Sequence, residues 1–385
     1  MPPLVSVIIP TRNRAGYLRQ SLASALAQTY HDIEIVVVDN CSTDGTPDVV
    51  AELAGNDDRV RYVRNDADLT MTENFARSVE MAGGDLIKFL MDDDWLRADA
   101  VERLARPMID HPEVVLATSR RQRVDQAGSL LPDSVSTVPV TSVDAVLDGR
   151  DFGNLLLTRA INCLGEPTTV LFRRSLAGSP EQMFTLGRNP YTRVVDVVLW
   201  LRLLCQGPAV YLTEPLSVFR LHGENLSHEV GVAVLEWLRM SDEAPAFGFL
   251  SEPSQQAAAL ASFVTRAGES LPAMGDQAAA VAQAVEEAGL RLGALSGEPE
   301  PSRTTSELRR ALPAPHDMRS FALRSPGDVA PLVTSLGALL VRLAGGYPAG
   351  TGPVAADTAW AIADVGACLR HLGDPGGPSV RAGTA

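Results

Sequence analysis

The chain has 385 residues, of which 45% are hydrophobic, and its formal net charge is −14. This length allows two domains, or one large domain with an appendage, and the hydrophobic fraction is typical of a globular protein. The negative charge excludes a protein that coats nucleic acid, because a phosphate backbone is bound by clustered cations and the sequence has no such cluster. No apolar run reaches about 18 residues, so we expect no transmembrane segment and a cytoplasmic protein.

The N-terminal part alternates between short apolar runs and helical patterns, which predicts βαβ units and a parallel sheet. The first run ends at Pro10, and β-branched residues without polar alternation indicate strands that are buried on both faces. The predicted strands are 4–9, 33–39, 60–65 and 85–91, and the predicted helices are 15–29, one that begins at Thr46 or Pro47, and 71–84.

The pattern becomes less regular after residue 95, and it favours an α/β region that closes near residue 230. A connection at 126–160 shows no clear period. The remaining predicted elements are a helix at about 97–110, a strand at 113–125, and strands at 168–176 and 209–221 on either side of a helix at 195–207.

Beyond residue 230 the sequence becomes rich in alanine, and its segments have the length and amphipathicity of helices. We therefore predict a C-terminal all-helical domain at 231–373, through which the protein could form a homodimer. Residues 296–307 are predicted to be an exposed linker, and the Gly/Pro-rich tail 374–385 is predicted to be disordered. The helical segments are 255–271, 276–295, 328–346 and 356–373.

Three consecutive carboxylates, Asp92, Asp93 and Asp94, directly follow the apolar run 86–91. The carboxyl ends of parallel strands form the edge of an open sheet at which ligands bind. Adjacent carboxylates repel one another there unless a cation neutralises them, and hard oxygen ligands suit Mg²⁺ or Mn²⁺. Because Mg²⁺ is commonly bound by one or two carboxylates and substrate phosphates, a nucleotide diphosphate is the expected partner. The alternative is a solvated acidic turn before the helix near Arg97.

Four stretches of the chain resemble a known family. They are "VSVIIPTRNRAGYLRQSLASALAQTYHDIEIVVVDNCSTDGT" at 5–46, "FLMDDDW" at 89–95, "GEPTTVLFRRS" at 165–175 and "VDVVLWLRLL" at 195–204. In order and spacing, over about residues 4–228, they resemble the family 2 glycosyltransferases, which have the GT-A fold. The resemblance implies a Rossmann-like mixed α/β sheet flanked by helices. It also implies transfer of a sugar from a nucleotide-diphosphate sugar to an acceptor hydroxyl, usually with inversion.

The resemblance divides residues 1–230, the catalytic domain, into a nucleotide-sugar half at about 1–118 and an acceptor half at about 119–230. Within the first half it implies a role for each residue at the predicted ligand edge. Asp92 would contact the ribose or the diphosphate. The expected nucleotide-binding residues are Pro10, Thr11, Arg12, Asp39 and Asn40, and the expected metal ligands are Asp93, Asp94 and His222.

Two of these assignments leave alternatives open. Met91 stands where many family members have the first carboxylate of the acidic motif, so the motif leaves open which of the three aspartates binds the metal, with Asp93 favoured by register. Asp39 at a strand end can accept the N–H of a pyrimidine ring, or it can form a turn with Asn40. UDP-, dTDP- and GDP-linked donors all remain open.

Asp196 is the candidate general base, because a displacement that inverts the anomeric carbon needs a group that takes the proton of the acceptor hydroxyl. Its neighbours Val195 and Val197 predict poor solvation, which raises the pKa of a carboxyl group. The alternative is that Asp196 is the N-cap of the following helix, and both roles can coexist. Gly165, which permits close backbone approach, and Glu166, which can hydrogen-bond a hydroxyl, are the acceptor-side candidates.

The predicted activity is therefore a metal-dependent inverting glycosyltransferase of natural-product or cell-surface glycan biosynthesis. One alternative is a non-catalytic protein that binds sugar nucleotides or acts as a scaffold, although Asp93 and Asp196 are both present. Another is a nucleotidyltransferase, which is disfavoured because the segment 10–14, "PTRNR", lacks the glycine-rich loop of such enzymes.

Overall fold

The structure is a computed structural model that describes residues 2–55, 57–223, 230–270 and 277–295. Its main feature is a nine-stranded mixed sheet with helices around it, as the sequence predicted. The strands are β1 (Val5–Thr11), β2 (Ile33–Asp39), β3 (Val60–Arg64), β4 (Leu86–Phe89), β5 (Trp95–Leu96), β6 (Leu116–Val124), β7 (Ala145–Leu147), β8 (Leu171–Arg173) and β9 (Ala209–Arg220).

Seven helices accompany this sheet in the described part of the chain before residue 224. They are α1 (Ala15–Leu26), α2 (Thr46–Ala54), α3 (Met71–Met81), α4 (Ala100–Asp110), α5 (Gly149–Arg159), α6 (Pro180–Met183) and α7 (Val195–Leu204). The strand order is β3-β2-β1-β4-β8-β6-β9-β5, and β7 pairs with β9. Strands β1 to β4 are mutually parallel, whereas β8 runs antiparallel to both β4 and β6, and this reversal makes the sheet mixed.

Strand register brings the ligand edge together. Strand β1 is buried along its whole length, which explains its uninterrupted apolar sequence. The β1–β2 register runs from Val5 opposite Ile33 to Thr11 opposite Asp39. On the other side of β1, Ile8 lies opposite Phe89. The ends of β1, β2 and β4 therefore meet at one edge, and the residues after them share that edge.

The region between residues 95 and 160 is more ordered than the pattern predicted. Strand β5 and strand β7 were not expected, and helix α5 lies in the connection that was predicted to be irregular. The helix predicted from about residue 97 begins at Ala100. Strands of two and three residues are too short to show a period. The apolar residues of α5 include three consecutive leucines, 155–157, which do not by themselves indicate a helical spacing.

The described residues form two compact units, one within 2–156 and 161–223 and a second with 157–160 and the described residues from 230 to 295. The described part of the second unit contains α8 (Val230–Glu243), α9 (Pro253–Ser270) and α10 (Ala278–Leu295), which pack against one another. The predicted helices 328–346 and 356–373, the linker 296–307 and the tail 374–385 lie outside the described residues. Within the described ranges, every helix is too short or too polar to cross a bilayer.

Candidate active site

Three buried carboxylates stand at the end of β4. Asp92, Asp93 and Asp94 are each less than a tenth exposed. Burial raises the pKa of Asp92 to about 7, and the charge of Asp93 adds to the increase. Burial and the same neighbouring charge raise the pKa of Asp94 well above its ordinary value. The acidic tip, which we define as these three residues, therefore holds negative charge only where cations or donors compensate it.

Two cationic or potentially cationic groups meet on one oxygen of the acidic tip. Asp93 Oδ2 lies 2.7 Å from Arg14 Nη1 and 2.9 Å from His222 Nε2. Arg14 Nη1 also contacts Asp92 Oδ1 at 3.2 Å. The His222 side chain is buried and stacks on the Tyr17 ring at a centroid distance of 5.0 Å. The structure thus brings His222 to Asp93 and adds Arg14, which the sequence did not single out.

Asp94 has different partners from its two neighbours. Its Oδ2 accepts the Thr168 hydroxyl at 2.6 Å, and its Oδ1 accepts the Arg220 backbone N–H at 3.0 Å. The backbone carbonyl of Thr168 in turn accepts a hydrogen bond from the Lys88 ammonium inside the fold. Asp94 therefore ties the tip to the segment 165–170 and to β9. Its predicted role as a metal ligand stays a prediction.

Arg220 fixes the tip from the side of β9. Its guanidinium lies over the rings of Tyr17 and Trp95, at 5.3 and 4.8 Å from their centroids. Its Nε donates to the backbone carbonyl of Asp93 at 3.0 Å, and its Nη2 donates to Gln20 Oε1 at 2.5 Å. A planar group that carries five N–H donors and also interacts with two aromatic rings is specific to arginine.

The potential metal-ligand atoms around Asp93 suit a divalent cation that is bound together with a diphosphate. A carboxylate oxygen and an imidazole nitrogen, Asp93 Oδ2 and His222 Nε2, lie 2.9 Å apart in direct contact, and both are atom types that bind Mn²⁺-type ions. In the described residues, no set of three or more His, Cys, Asp or Glu side chains could enclose an ion on its own. The residues present thus match ions of the Mg²⁺ class, which take few protein ligands and complete their shell with phosphate and water.

The side chain of Asp39 is fully buried at the end of β2. Its Oδ1 accepts the Ser42 N–H at 2.9 Å, which makes the turn after the strand. Its Oδ2 accepts the Tyr62 hydroxyl at 2.5 Å and a hydrogen bond from Arg64 at 3.0 Å. Burial and Asp39 together raise the pKa of Tyr62 to about 12, so Tyr62 remains a donor. Asp39 thus combines the turn role with a position at the ligand edge.

The remaining predicted nucleotide residues form a second network beside Asp39. The N–H of Asn40 donates to the Thr11 carbonyl at 2.9 Å, which continues the pairing of β1 and β2 beyond Pro10. The Asn40 side chain donates to Asp68 Oδ1 at 3.1 Å, and Asp68 also pairs with Arg12. Pro10, Thr11, Arg12, Asp39 and Asn40 are thereby brought to one edge.

Asp196 lies in the first turn of α7 and is half-buried. The N-cap of that helix is Val194, so the alternative that Asp196 is the N-cap is wrong. Asp196 Oδ1 accepts the N–H of Val197 at 2.9 Å, and Oδ2 accepts a hydrogen bond from Asn162 Nδ2 at 2.7 Å. Burial raises the pKa of Asp196 to about 7, and the charge of Glu166 adds to the increase. This pKa suits a group that exchanges protons near neutral pH.

The acceptor-side candidates are held by protein partners. Glu166 forms a two-point ion pair with Arg121, whose side chain is 2% exposed. Gly165 has φ +122°, and a Cβ at this position would collide with the Thr169 hydroxyl, so a glycine is required here. Its carbonyl accepts a hydrogen bond from Trp200 Nε1 at 2.9 Å.

An open mixed sheet with an acidic tip at its ligand edge and a separate partly buried aspartate is the architecture of a GT-A glycosyltransferase. The profile of "Glycosyl transferase family 2" matches residues 6–161. An uncharacterized protein of Mycobacterium tuberculosis is 33% identical over 223 residues, which cover 57% of this chain and 67% of that protein.

Two further comparisons agree with this assignment. The putative teichuronic acid biosynthesis glycosyltransferase TuaG of Bacillus subtilis is 28% identical over 58% of this chain and 82% of its own length. The structure of Staphylococcus aureus TarS 1-349 in complex with UDP-GlcNAc has a TM-score of 0.56 and 17% identity, over 87% of this chain and 92% of that chain, and is similar in fold. The chain belongs to glycosyltransferase family 2 and is a glycosyltransferase with the GT-A fold.

Proposed function

We propose that the protein transfers a sugar from a nucleotide-diphosphate sugar to an acceptor hydroxyl, with a divalent metal and with inversion. The observation that carries the proposal is the presence of two chemically separate acidic groups. One is the acidic tip, where Asp93 Oδ2 and His222 Nε2 lie 2.9 Å apart. The other is Asp196, whose carboxylate accepts hydrogen bonds from Asn162 and Val197 and has a pKa of about 7.

The donor would bind along the edge formed by the ends of β1 and β2. Asp39 lies at that edge, and its carboxylate would accept a ring N–H such as that of a pyrimidine. Because Asp39 is fully buried and Oδ2 already accepts from Tyr62 and Arg64, one of these two partners would have to move to admit the ring. The similarity in fold to TarS, whose structure contains UDP-GlcNAc, supports a sugar nucleotide as the donor. UDP-linked sugars are therefore the first to test, followed by dTDP- and GDP-linked sugars.

Asp93 and His222 would hold Mg²⁺ or Mn²⁺, with Asp92 beside the ribose or the diphosphate. When bound, the ion supplies Lewis-acid stabilisation of the charge on the leaving diphosphate. Arg14 Nη1 now donates to Asp93 Oδ2, the oxygen that would become a ligand. Arg14 would therefore release this oxygen and donate to phosphate oxygens, for which a guanidinium is well suited.

Asp196 would take the proton of the acceptor hydroxyl as that oxygen attacks the anomeric carbon. A single displacement from the face opposite the leaving diphosphate gives inversion. A base with a pKa of about 7 is half ionised at neutral pH and is strong enough to accept the proton in the transition state. The backbone and side chains of the segment 162–166 lie beside Asp196 and would form part of the acceptor side.

The pathway and the cellular setting belong to the same proposal. The relative TuaG is named for teichuronic acid biosynthesis, which supports a role in cell-surface glycan or natural-product glycosylation. We propose a cytoplasmic location, since nucleotide-diphosphate sugars would be drawn from that compartment. Assembly as a homodimer through the C-terminal helices is a further part of the proposal, and analytical ultracentrifugation tests it.

A thermal-shift panel of UDP-, dTDP- and GDP-sugars with Mn²⁺ tests the donor and the metal together. A donor present at about 100 times its dissociation constant stabilises the protein by about 2.7 kcal/mol, which gives a measurable increase in melting temperature. We expect one nucleotide class to give this increase, and EDTA or Asp93→Ala to remove most of it. An increase that is the same for Asp93→Ala in EDTA would refute the metal site.

The role of Asp196 is tested separately, because Asp196→Asn preserves the size of the side chain. We expect the variant to bind the donor with the same affinity as the wild type. The rate at which the nucleotide diphosphate is released from the donor should fall at least about 100-fold, the usual magnitude of general-base catalysis. Unchanged release would show that Asp196 is not the base. Loss of donor binding would instead place Asp196 in the donor site.

A further inference from the structure

The turn before Glu166 is closed by one side-chain amide, that of Asn162. Its Oδ1 accepts the N–H of Gly165 at 2.9 Å, and its Nδ2 donates to the Gly165 carbonyl at 3.0 Å. The same Nδ2 also donates to Asp196 Oδ2 at 2.7 Å. Both hydrogens of the Nδ2 group are thereby used, one within the turn and one on the aspartate.

The turn fixes which end of the amide faces Asp196. A backbone N–H can only donate, so the atom of Asn162 that meets the Gly165 N–H must be the oxygen. The nitrogen must then point at the Gly165 carbonyl and at Asp196. A 180° flip of the Asn162 amide would place its oxygen against the Asp196 carboxylate and its NH₂ group against the Gly165 N–H, and both contacts would be repulsive. Asn162 therefore presents a donor, and never an acceptor, to Asp196.

Two buried side chains hold the turn in place on α7 and on β6. Trp200 Nε1 donates to the Gly165 carbonyl at 2.9 Å, and Trp200 belongs to the same helix as Asp196. From β6, Arg121 Nη2 donates to the Asn162 carbonyl at 3.1 Å. Besides the hydrogen bond between Asn162 and Asp196, the turn is therefore held on α7 through Trp200 and on β6 through Arg121, and these two contacts restrict the position of Asn162 relative to Asp196.

We propose that Asn162 is a positioning residue for the general base Asp196. The hydrogen bond from Asn162 keeps the Asp196 carboxylate ionised and in one rotamer, so that the remaining lone pairs of the carboxylate face the acceptor hydroxyl. The inference rests on the proposed function, in which Asp196 is that base. A donor to a carboxylate favours its charged form and so opposes the effect of burial. The other charged groups that act on Asp196 are Glu166, which raises its pKa, and Arg121, which lowers it.

Asn162→Ala and Asn162→Asp test the proposal through the pH profile of nucleotide release, measured with the donor that the thermal-shift panel identifies. For Asn162→Ala we expect the acidic limb of kcat/KM to move up by about one to two pH units, the equivalent of a hydrogen bond to a charged group. Asn162→Asp has almost the same shape but places a carboxylate oxygen against Asp196, so we expect a larger upward shift. The KM for the donor should stay unchanged in both variants.

Trp200→Phe is the matched control, because it removes a hydrogen bond to the same turn without touching Asp196. A merely structural role of Asn162 predicts that Trp200→Phe and Asn162→Ala lower the melting temperature and the activity in the same way, with wild-type pH profiles. That result, or a wild-type profile in Asn162→Asp with the fold intact by circular dichroism, would overturn the inference. Full activity of Asp196→Asn would instead refute the proposed base, and the two failures are therefore distinguishable.

Discussion

The only lysine of the chain, Lys88, provides the most direct test of the energetics of the fold. It lies on β4 with no exposed surface, and its ammonium donates to the carbonyls of Thr168 and Val170. Burial lowers the pKa of Lys88 from 10.5 to about 7, although Asp94 opposes the decrease. Between these two pKa values the unfolded chain binds the proton more strongly than the folded protein does. The contribution of Lys88 to the free energy of unfolding therefore rises as the pH rises through this window.

Lys88→Met replaces the lysine with an apolar side chain of similar length that does not titrate. With pKa values of 10.5 and about 7, the wild type should gain about 2 kcal/mol over the variant between pH 7 and pH 9. Guanidinium unfolding curves of both proteins at several pH values, followed by tryptophan fluorescence, measure this difference. Groups that do not interact with Lys88 cancel in the comparison, whereas Asp94, which acts on the charge of Lys88, contributes to the measured difference. A difference in unfolding free energy that is constant over this range would refute the argument from burial.

Three further predictions concern the site. In the proposed mechanism Asp196 acts as an ionised base, and burial raises its pKa to about 7. Nucleotide release by the wild type should therefore rise with pH through neutrality, and a rate that is flat from pH 5 to 8 would contradict this. Arg14→Gln removes the cation that competes with a metal ion for Asp93 Oδ2, so Mn²⁺ should bind about tenfold more tightly. Electron paramagnetic resonance without the sugar-nucleotide donor measures this affinity. The control Arg19→Gln, whose partner is the exposed Glu52, should leave the Mn²⁺ affinity unchanged. Gly165→Ala forces a side chain into a left-handed position that is already filled, so it should destabilise the protein by about 2 kcal/mol, and an unchanged melting temperature would contradict the tight turn.

Sequence patterns predicted the parts of the fold that depend on local periodicity. The uninterrupted apolar runs that became β1 and β2, and the polar residues directly after them, were sufficient to predict a parallel sheet and its ligand edge. They did not reveal that Asp39 lies beside Arg64, because that contact depends on the register of β2 against β3. Strands β2 and β3 are parallel and have no tight turn between them, and the largely apolar sequence of β2 shows no sustained alternation that would specify the register.

The site residues that the sequence missed all act across long separations. Arg14 reaches the acidic tip across 78 positions, and Asn162 reaches Asp196 across 34. Arg220 lies within the sequence pattern that predicted strand β9, and that pattern gave no indication of a role in the site. The segment "NCLG" at 162–165 did contain one local signal, since Asn followed by Gly in a short stretch is typical of a tight turn closed by a side chain.

The aromatic clamp on Arg220 has a consequence for how the protein could respond to its substrates. Because the guanidinium lies over the rings of Tyr17 and Trp95 and also donates to the Asp93 carbonyl, several contacts hold the main chain at the acidic tip in place. Changes that accommodate sugar-nucleotide donors of different size must then occur at the exposed rim of the ligand edge, where the Arg12 side chain is about half exposed. Selection for a new sugar would accordingly alter the rim and leave the clamp unchanged.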